Sequence, residues 1–174
     1  TDAEKAQIAK EYVKFNERSM IRLLGDMRAY NYVVVPTHDF DQVVYKIRPI
    51  DFDQQSFEGK LSVYRPQFFK ENKALMDLVR TKLNHNSINQ YKIEERSIVA
   101  RRIISSGSRL QSLVRIMQSE TLTLQENLER LRQEIFKFTK DKAFKQSESM
   151  GDIMQASLRF VRLHYEKVDM HNLF

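Results

Sequence analysis

The sequence predicts a mainly α-helical fold with a small antiparallel β element, an α+β class, in one compact domain over residues 1–174. The chain has 174 residues, about the length of a single domain. It contains only 4 glycines and 3 prolines, and so few helix-breaking residues favour helices over a many-stranded β fold. Apolar residues recur at helical spacing along most of the chain, whereas β-branched runs are concentrated in residues 32–64.

The N-terminal part is predicted to be one long helix followed by short strands. A helical apolar repeat predicts a helix over residues 3–30. The β-branched run at residues 32–35 precedes Pro36 and predicts a strand. Further strands are predicted at residues 43–47 and 61–64, so we expect a small antiparallel sheet or hairpin here.

The rest of the chain, residues 67–174, is predicted to be a helical bundle. Apolar spacing predicts one helix around residues 75–83 and a second over residues 93–117, with a break at its Ser-Ser-Gly-Ser sequence. Thr123 begins a capping-box sequence that would open a third helix, and Ser149 precedes a fourth.

The composition excludes several classes of protein. Cysteine is absent, which excludes disulfide frameworks, thiol nucleophiles and cysteine-based zinc sites. The net charge of +6 suits an acidic partner such as a nucleotide or nucleic acid. No apolar run approaches the ~20 residues of a membrane span, and the first residues lack the apolar core of a signal peptide. We therefore expect a cytoplasmic protein with no membrane span.

A repeated acidic tetrapeptide is the main candidate for chemistry. Asp39-Phe40-Asp41-Gln42 recurs as Asp51-Phe52-Asp53-Gln54, with a β-prone connector between the two copies. If the connector forms a hairpin, both acidic clusters would meet at the same end of the sheet. Clustered carboxylates repel one another unless a cation compensates, and hard oxygen ligands suit Mg²⁺ or Mn²⁺. Alternatively, these aspartates serve only in turns and helix caps.

The sequence Ile50-Asp51-Phe52-Asp53 resembles the metal-binding loop of protein-kinase-like phosphotransferases, in which an apolar residue precedes Asp-Phe-Gly. The order of predicted elements in residues 1–66 is also similar to that of the C-terminal lobe of such enzymes. Asp53 replaces the glycine of the family motif, and the chain has no Gly-rich phosphate loop. The resemblance therefore implies a catalytic lobe whose N-terminal lobe is missing or is supplied by another protein chain.

The same resemblance implies a role for each acidic residue. A divalent metal, Mg²⁺ or Mn²⁺, would bind together with ATP, and a carboxylate would accept the proton of the substrate hydroxyl. The implied metal ligands are Asp51 and Asp53, and the implied catalytic residues are His38, Asp39 and Asp41.

Basic residues offer a second candidate site. Arg101, Arg102 and Arg109 flank the Ser-Ser-Gly-Ser sequence, where exposed backbone N–H groups and arginines would bind phosphate of a nucleotide. The same run is also typical of a helix break on a solvated face.

Lysines interleaved with phenylalanines at residues 136–145 suit nucleic acid, a membrane surface, or an ordinary helix end. The sequence thus leaves two further classes open, a non-catalytic helical module that binds a protein or nucleic acid and a subunit of a larger assembly.

Overall fold

The structure, a computed structural model, describes residues 1–167. Within them the fold is mainly α-helical with one two-stranded antiparallel sheet, which confirms the predicted fold class. The first part contains helix α1 (Asp2–Ile21), strands β1 (Tyr32–Asp39) and β2 (Gln42–Pro49), and short 3₁₀ turns at Leu61–Tyr64, Pro66–Phe68 and Lys70–Asn72. The second part contains α2 (Lys73–Lys82), α3 (His85–Ser105), α4 (Gly107–Ser119), α5 (Gln125–Thr139), α6 (Lys142–Lys145) and α7 (Met150–His164).

Helix α1 ends nine residues before the predicted position, at Ile21 and not at Tyr30. Leu23 and Asp26 adopt the left-handed backbone conformation, with φ of 49° and 56°, which an α-helix cannot contain. Leu23 and Met27 are nevertheless almost fully buried, because the loop after α1 folds back into the core. Their helical spacing in the sequence therefore reflects burial and not helix.

The two predicted strands of the hairpin are confirmed, and each is longer than predicted. They are joined by a two-residue turn at Phe40 and Asp41. Pro36 lies inside β1, opposite Tyr45, because each strand of a two-stranded sheet has a free edge where a missing N–H is tolerated. The predicted third strand is wrong, since Leu61–Tyr64 is a 3₁₀ turn.

The predicted helix boundaries are partly correct. The break in the second long helix is confirmed at Gly107, whose φ is 53°. The helix predicted to follow Ser149 is confirmed, and the structure shows that Ser149 caps it in a capping box with Asp152. Thr123 is not a cap, because its hydroxyl donates to the backbone carbonyl of Phe57 at 2.5 Å and the helix starts at Gln125.

Three apolar clusters form the core, and the loop after α1 lies between the two larger ones. Leu24 packs with residues of α1, the hairpin, α2 and the start of α3. The preceding residue, Leu23, packs with the cluster formed mainly by α5, α6 and α7. Burial of consecutive residues in different clusters fixes the path of this loop, which is the loop that carries the candidate site.

Charged residues form much of the interface between α1 and α3. Arg96 is fully buried and donates to Glu17 at 2.8 Å, and Arg18 binds both Glu11 and Glu95. Removing one partner of such a buried pair is strongly destabilising, because the other charge is left without compensation.

Within residues 1–167, no helix combines the length and the apolarity needed to cross a bilayer.

Candidate functional site

The hairpin separates the two acidic tetrapeptides. Asp39 pairs with Gln42 beside the turn, whereas Asp51 follows the base of the hairpin, where Pro49 pairs with Tyr32. β2 has 8 residues. At ~3.3 Å per residue the strand spans roughly 25 Å. The expectation that both clusters meet at one end of the sheet is wrong, because a single strand connects them and places them at its opposite ends.

The predicted catalytic residues His38, Asp39 and Asp41 all lie at the tip of the hairpin, where their side chains are exposed. Their implied role required contact with the metal-binding loop, and the hairpin geometry does not provide it. The predicted phosphate-binding residues Arg101, Arg102 and Arg109 are also exposed, at the junction of α3 and α4. Those two helices pack mainly against α1 and α7, so the arginines do not join the acidic site.

Asp51 lies beside a loop that the sequence interpretation assigned to helix. The backbone N–H of Ile50 donates to the carbonyl of Asn31 at 2.9 Å and closes the base of the hairpin. The side-chain amide of Asn31 donates to Asp26, to its backbone carbonyl at 2.7 Å and to its carboxylate Oδ2 at 3.3 Å. Asp26, Asn31 and Asp51 are therefore brought together by the loop after α1 and the loop after β2.

A second set of backbone bonds joins the same two loops. Leu24 and Gln55 form an antiparallel bridge, and the Gly25 N–H donates to the carbonyl of Gln54 at 3.3 Å. A Cβ on Gly25 would lie 2.8 Å from that carbonyl oxygen, so the close approach requires glycine. The loop that contains Asp26 is thus fixed against the Asp51-Phe52-Asp53 loop on both sides.

The carboxylates at this position are electrostatically crowded. The backbone N–H of Asp53 donates to Asp51 Oδ1 at 3.2 Å. The pKa of Asp53 is raised, first by the hydrogen bond to the Asp51 side chain, then by desolvation and by the negative charges of Asp51 and Asp26. Negative charge is therefore concentrated between the two loops.

Arg28 orients the carboxylate of Asp26. Its Nε donates to Asp26 Oδ1 at 2.7 Å, and its Nη1 donates to Glu71 at 2.9 Å. Its guanidinium also lies 4.6 Å from the centre of the Phe69 ring. These contacts leave Asp26 with one oxygen toward Arg28 and the other toward Asn31, which fixes the plane of the carboxylate.

A buried asparagine connects the loop to its surroundings. Asn72 is 1% exposed and makes three hydrogen bonds: it accepts from Tyr32 Oη at 2.7 Å and donates to the carbonyls of Met27 at 2.9 Å and Pro66 at 2.7 Å. It therefore joins the Asp26–Asn31 loop, the first strand and the 3₁₀ segment. Rigid support of this kind is what a precisely positioned site needs.

The sequence interpretation missed Asp26 and Asn31, although a signal was present. The spacing of Asp26 and Asn31 is that of the Asp and Asn in the catalytic loop of kinases, Asp-x-x-x-x-Asn. The apolar repeat extended the predicted helix across this stretch and hid the loop.

Comparison of the chain with protein-family models, with curated proteins and with solved structures finds no match.

Among residues 1–167, no three side chains of His, Asp or Glu form a group arranged to bind a metal ion by themselves. Asn31, Asp51 and Asp53 lie on the two loops that the backbone hydrogen bonds join.

Proposed function

We propose that this chain is a catalytic lobe of a protein-kinase-like phosphotransferase, with Asp26, Asn31 and Asp51 as its central residues. The observation that supports the proposal is the closed base of the hairpin, where the hydrogen bond from Ile50 to Asn31 sets the Asp-x-x-x-x-Asn loop against the Asp-Phe-Asp loop. These are the two loops that carry the substrate-orienting Asp and the metal-binding Asn and Asp in kinases.

Asp26 is proposed to accept the proton of the substrate hydroxyl. Each of its carboxylate oxygens makes one hydrogen bond, to Arg28 or to Asn31, so lone pairs remain for a substrate donor. Its positive φ of 56° places it in a conformation that costs a non-glycine residue energy.

A divalent metal, Mg²⁺ or Mn²⁺, is proposed to bind between Asn31 and Asp51, with Asp53 beside them. The Asn31 amide nitrogen donates to Asp26, which leaves its Oδ1 without a hydrogen-bond donor among residues 1–167. Hard oxygen atoms next to crowded carboxylates suit such a cation, and one or two protein carboxylates are the usual number for Mg²⁺. The cation would neutralise charge on the phosphates of ATP during transfer.

The proposed site opens onto a surface with exposed apolar residues. Ile50 is 58% and Phe52 50% exposed on either side of Asp51, and Tyr30 is 64% exposed next to Asn31. Exposed apolar groups that surround polar ligands mark an interaction surface. We propose that a second lobe, in the same polypeptide or in a partner chain, covers this surface, and that the protein acts in the cytoplasm, where ATP is available.

A metal titration followed by thermal unfolding tests the proposal. Mg²⁺ and Mn²⁺, with and without ATP, are added to the wild type, to Asp51→Asn, and to the matched control Asp41→Asn at the exposed tip. A ligand at a hundred times its dissociation constant stabilises the native state by about 2.7 kcal/mol. We expect stabilisation of the wild type and of Asp41→Asn but not of Asp51→Asn. Equal responses of all three proteins, or none at millimolar metal, would contradict the proposal.

A further inference from the structure

A second cleft, separate from the acidic site, lies between the 3₁₀ turn Leu61–Tyr64 and helix α5. It has a volume of about 430 Å³. The cleft is strongly basic, with four cationic side chains and one carboxylate among its lining residues. These are Lys60, Arg65, Arg130, Lys137 and Glu134.

Arg65 is the buried member of this group. The residue is 9% exposed, and its Nη2 has no hydrogen-bond partner among residues 1–167. Its Nε is 3.4 Å from the sulfur of Met20, a weak acceptor. Its guanidinium lies 5.5 Å and 4.8 Å from the ring centres of Phe68 and Phe138, which line the cleft. A buried charged donor without an acceptor is costly unless a ligand supplies one.

The negative charges of Glu17 and Glu134 offset only part of the cost of burying this cation, and each carboxylate is hydrogen-bonded to another group. Glu134 accepts from the backbone N–H of Leu61 at 2.7 Å and from Arg130 at 3.1 Å. Glu17 accepts from Arg96 at 2.8 Å. Burial lowers the pKa of Arg65 to about 10, so the side chain is still a cation at neutral pH. The cleft therefore keeps an excess of positive charge.

We infer that this cleft binds a phosphoryl group, with the guanidinium of Arg65 at its base and the ammonium groups of Lys60 and Lys137 at its rim. Arginine and lysine around an aromatic-walled cleft supply the charge-assisted donors that a dianionic oxyanion needs. The phosphoryl group would be that of a free phosphate ester or that of a phosphorylated Ser62, an exposed residue that lines the same cleft.

This inference does not rest on the proposed phosphotransfer, but it has a consequence for that site. The 3₁₀ turn that forms one wall accepts a hydrogen bond from Asp26, whose backbone N–H donates to the carbonyl of Val63 at 3.1 Å. A phosphoryl group bound to the turn would therefore stabilise the backbone that supports Asp26.

Isothermal titration calorimetry with inorganic phosphate tests the inference. The variants are Arg65→Gln, which removes the buried donor, and Lys137→Gln, an exposed residue whose replacement preserves folding. Lys46→Gln is the matched control, because it removes an equal charge at an exposed position of β2 outside the cleft. Loss of one charge-assisted hydrogen bond is expected to weaken binding about tenfold. We expect this loss in both cleft variants and no change in Lys46→Gln.

A second arm separates the two sources of the phosphoryl group. Phosphoserine is incorporated at position 62, and the melting temperature and the phosphate affinity are measured again. A higher melting temperature together with lost phosphate binding supports occupation of the cleft by phosphorylated Ser62. An unchanged melting temperature, with phosphate binding by the unmodified chain, supports occupation by a free phosphate ester. The inference is overturned if phosphate binds none of the proteins and phosphoserine leaves the melting temperature unchanged. It is also overturned if Lys46→Gln weakens binding as much as Lys137→Gln. A negative metal titration at Asp51 would leave both results unaffected.

Discussion

Replacing Asn72 by alanine is expected to lower the free energy of unfolding by about 3 kcal/mol. The side chain is fully buried and makes three hydrogen bonds, one with the hydroxyl of Tyr32 and two with the carbonyls of Met27 and Pro66. A net contribution of about 1 kcal/mol per intramolecular hydrogen bond gives the total. The groups left without a partner are buried in the alanine variant, so water does not replace the lost bonds.

The companion variant Tyr32→Phe removes only one of these bonds and is expected to cost about 1 kcal/mol. Because Asn72→Ala already removes the same bond, the double variant should lose less stability than the sum of the losses in the two single variants. Asn86→Ala, an exposed position in the first turn of α3, is the control and should change stability by no more than about 0.5 kcal/mol.

Urea unfolding followed by circular dichroism measures these differences, and an unchanged m-value shows that the unfolded states are comparable. A loss below about 1 kcal/mol in Asn72→Ala would refute the reasoning, since it would mean that the hydrogen bonds of Asn72 contribute nothing net. A loss in Tyr32→Phe equal to that in Asn72→Ala would refute the assignment of the two carbonyl bonds.

Three further changes test other parts of the fold by the same measurement. Gly151→Ala would place a Cβ against the backbone of Gln118 where α7 crosses α4, and should cost about 3 kcal/mol, whereas Gly107→Ala, with φ of 53° and open space around it, should cost only about 1 kcal/mol. Equal losses would contradict the close helix crossing. Phe40→Asn should leave stability unchanged or raise it by up to about 0.5 kcal/mol, because Phe40 is fully exposed with φ of 50° and asparagine tolerates that conformation; a loss would reveal a packing role. Ser149→Ala should cost about 1 kcal/mol through the lost cap of α7, and no loss would contradict the capping box.

The features that could be predicted from the sequence are those that local chemistry decides. The β-branched runs at residues 32–35 and 43–47 formed strands, and a helix follows Ser149 as predicted. The end of α1 was not predictable in this way, because Leu23 and Met27 continue a helical apolar spacing while the backbone between them turns. The pairing of Arg96 with Glu17 joins residues 79 positions apart, and no local pattern indicates it.

The candidate site was predicted only in part. Asp51 was singled out by its short motif, and the structure places it directly after the base of the hairpin; its role as a metal ligand stays a prediction. The repeated tetrapeptide was misleading, because the same letters at Asp39 serve the hairpin turn. Asp26 was hidden, because identifying it required knowing that the helix ends before it.

The closed base of the hairpin makes the site independent of the length of the hairpin. The bond between Ile50 and Asn31 fixes the separation of the two loops at the base, so residues nearer the turn do not affect it. Equal insertions or deletions of two residues in each strand would keep every remaining side chain on its own face of the sheet. The number of residues between Asn31 and Asp51 is then a poor signature of the site, whereas the short spacing from Asp26 to Asn31 is a strict one.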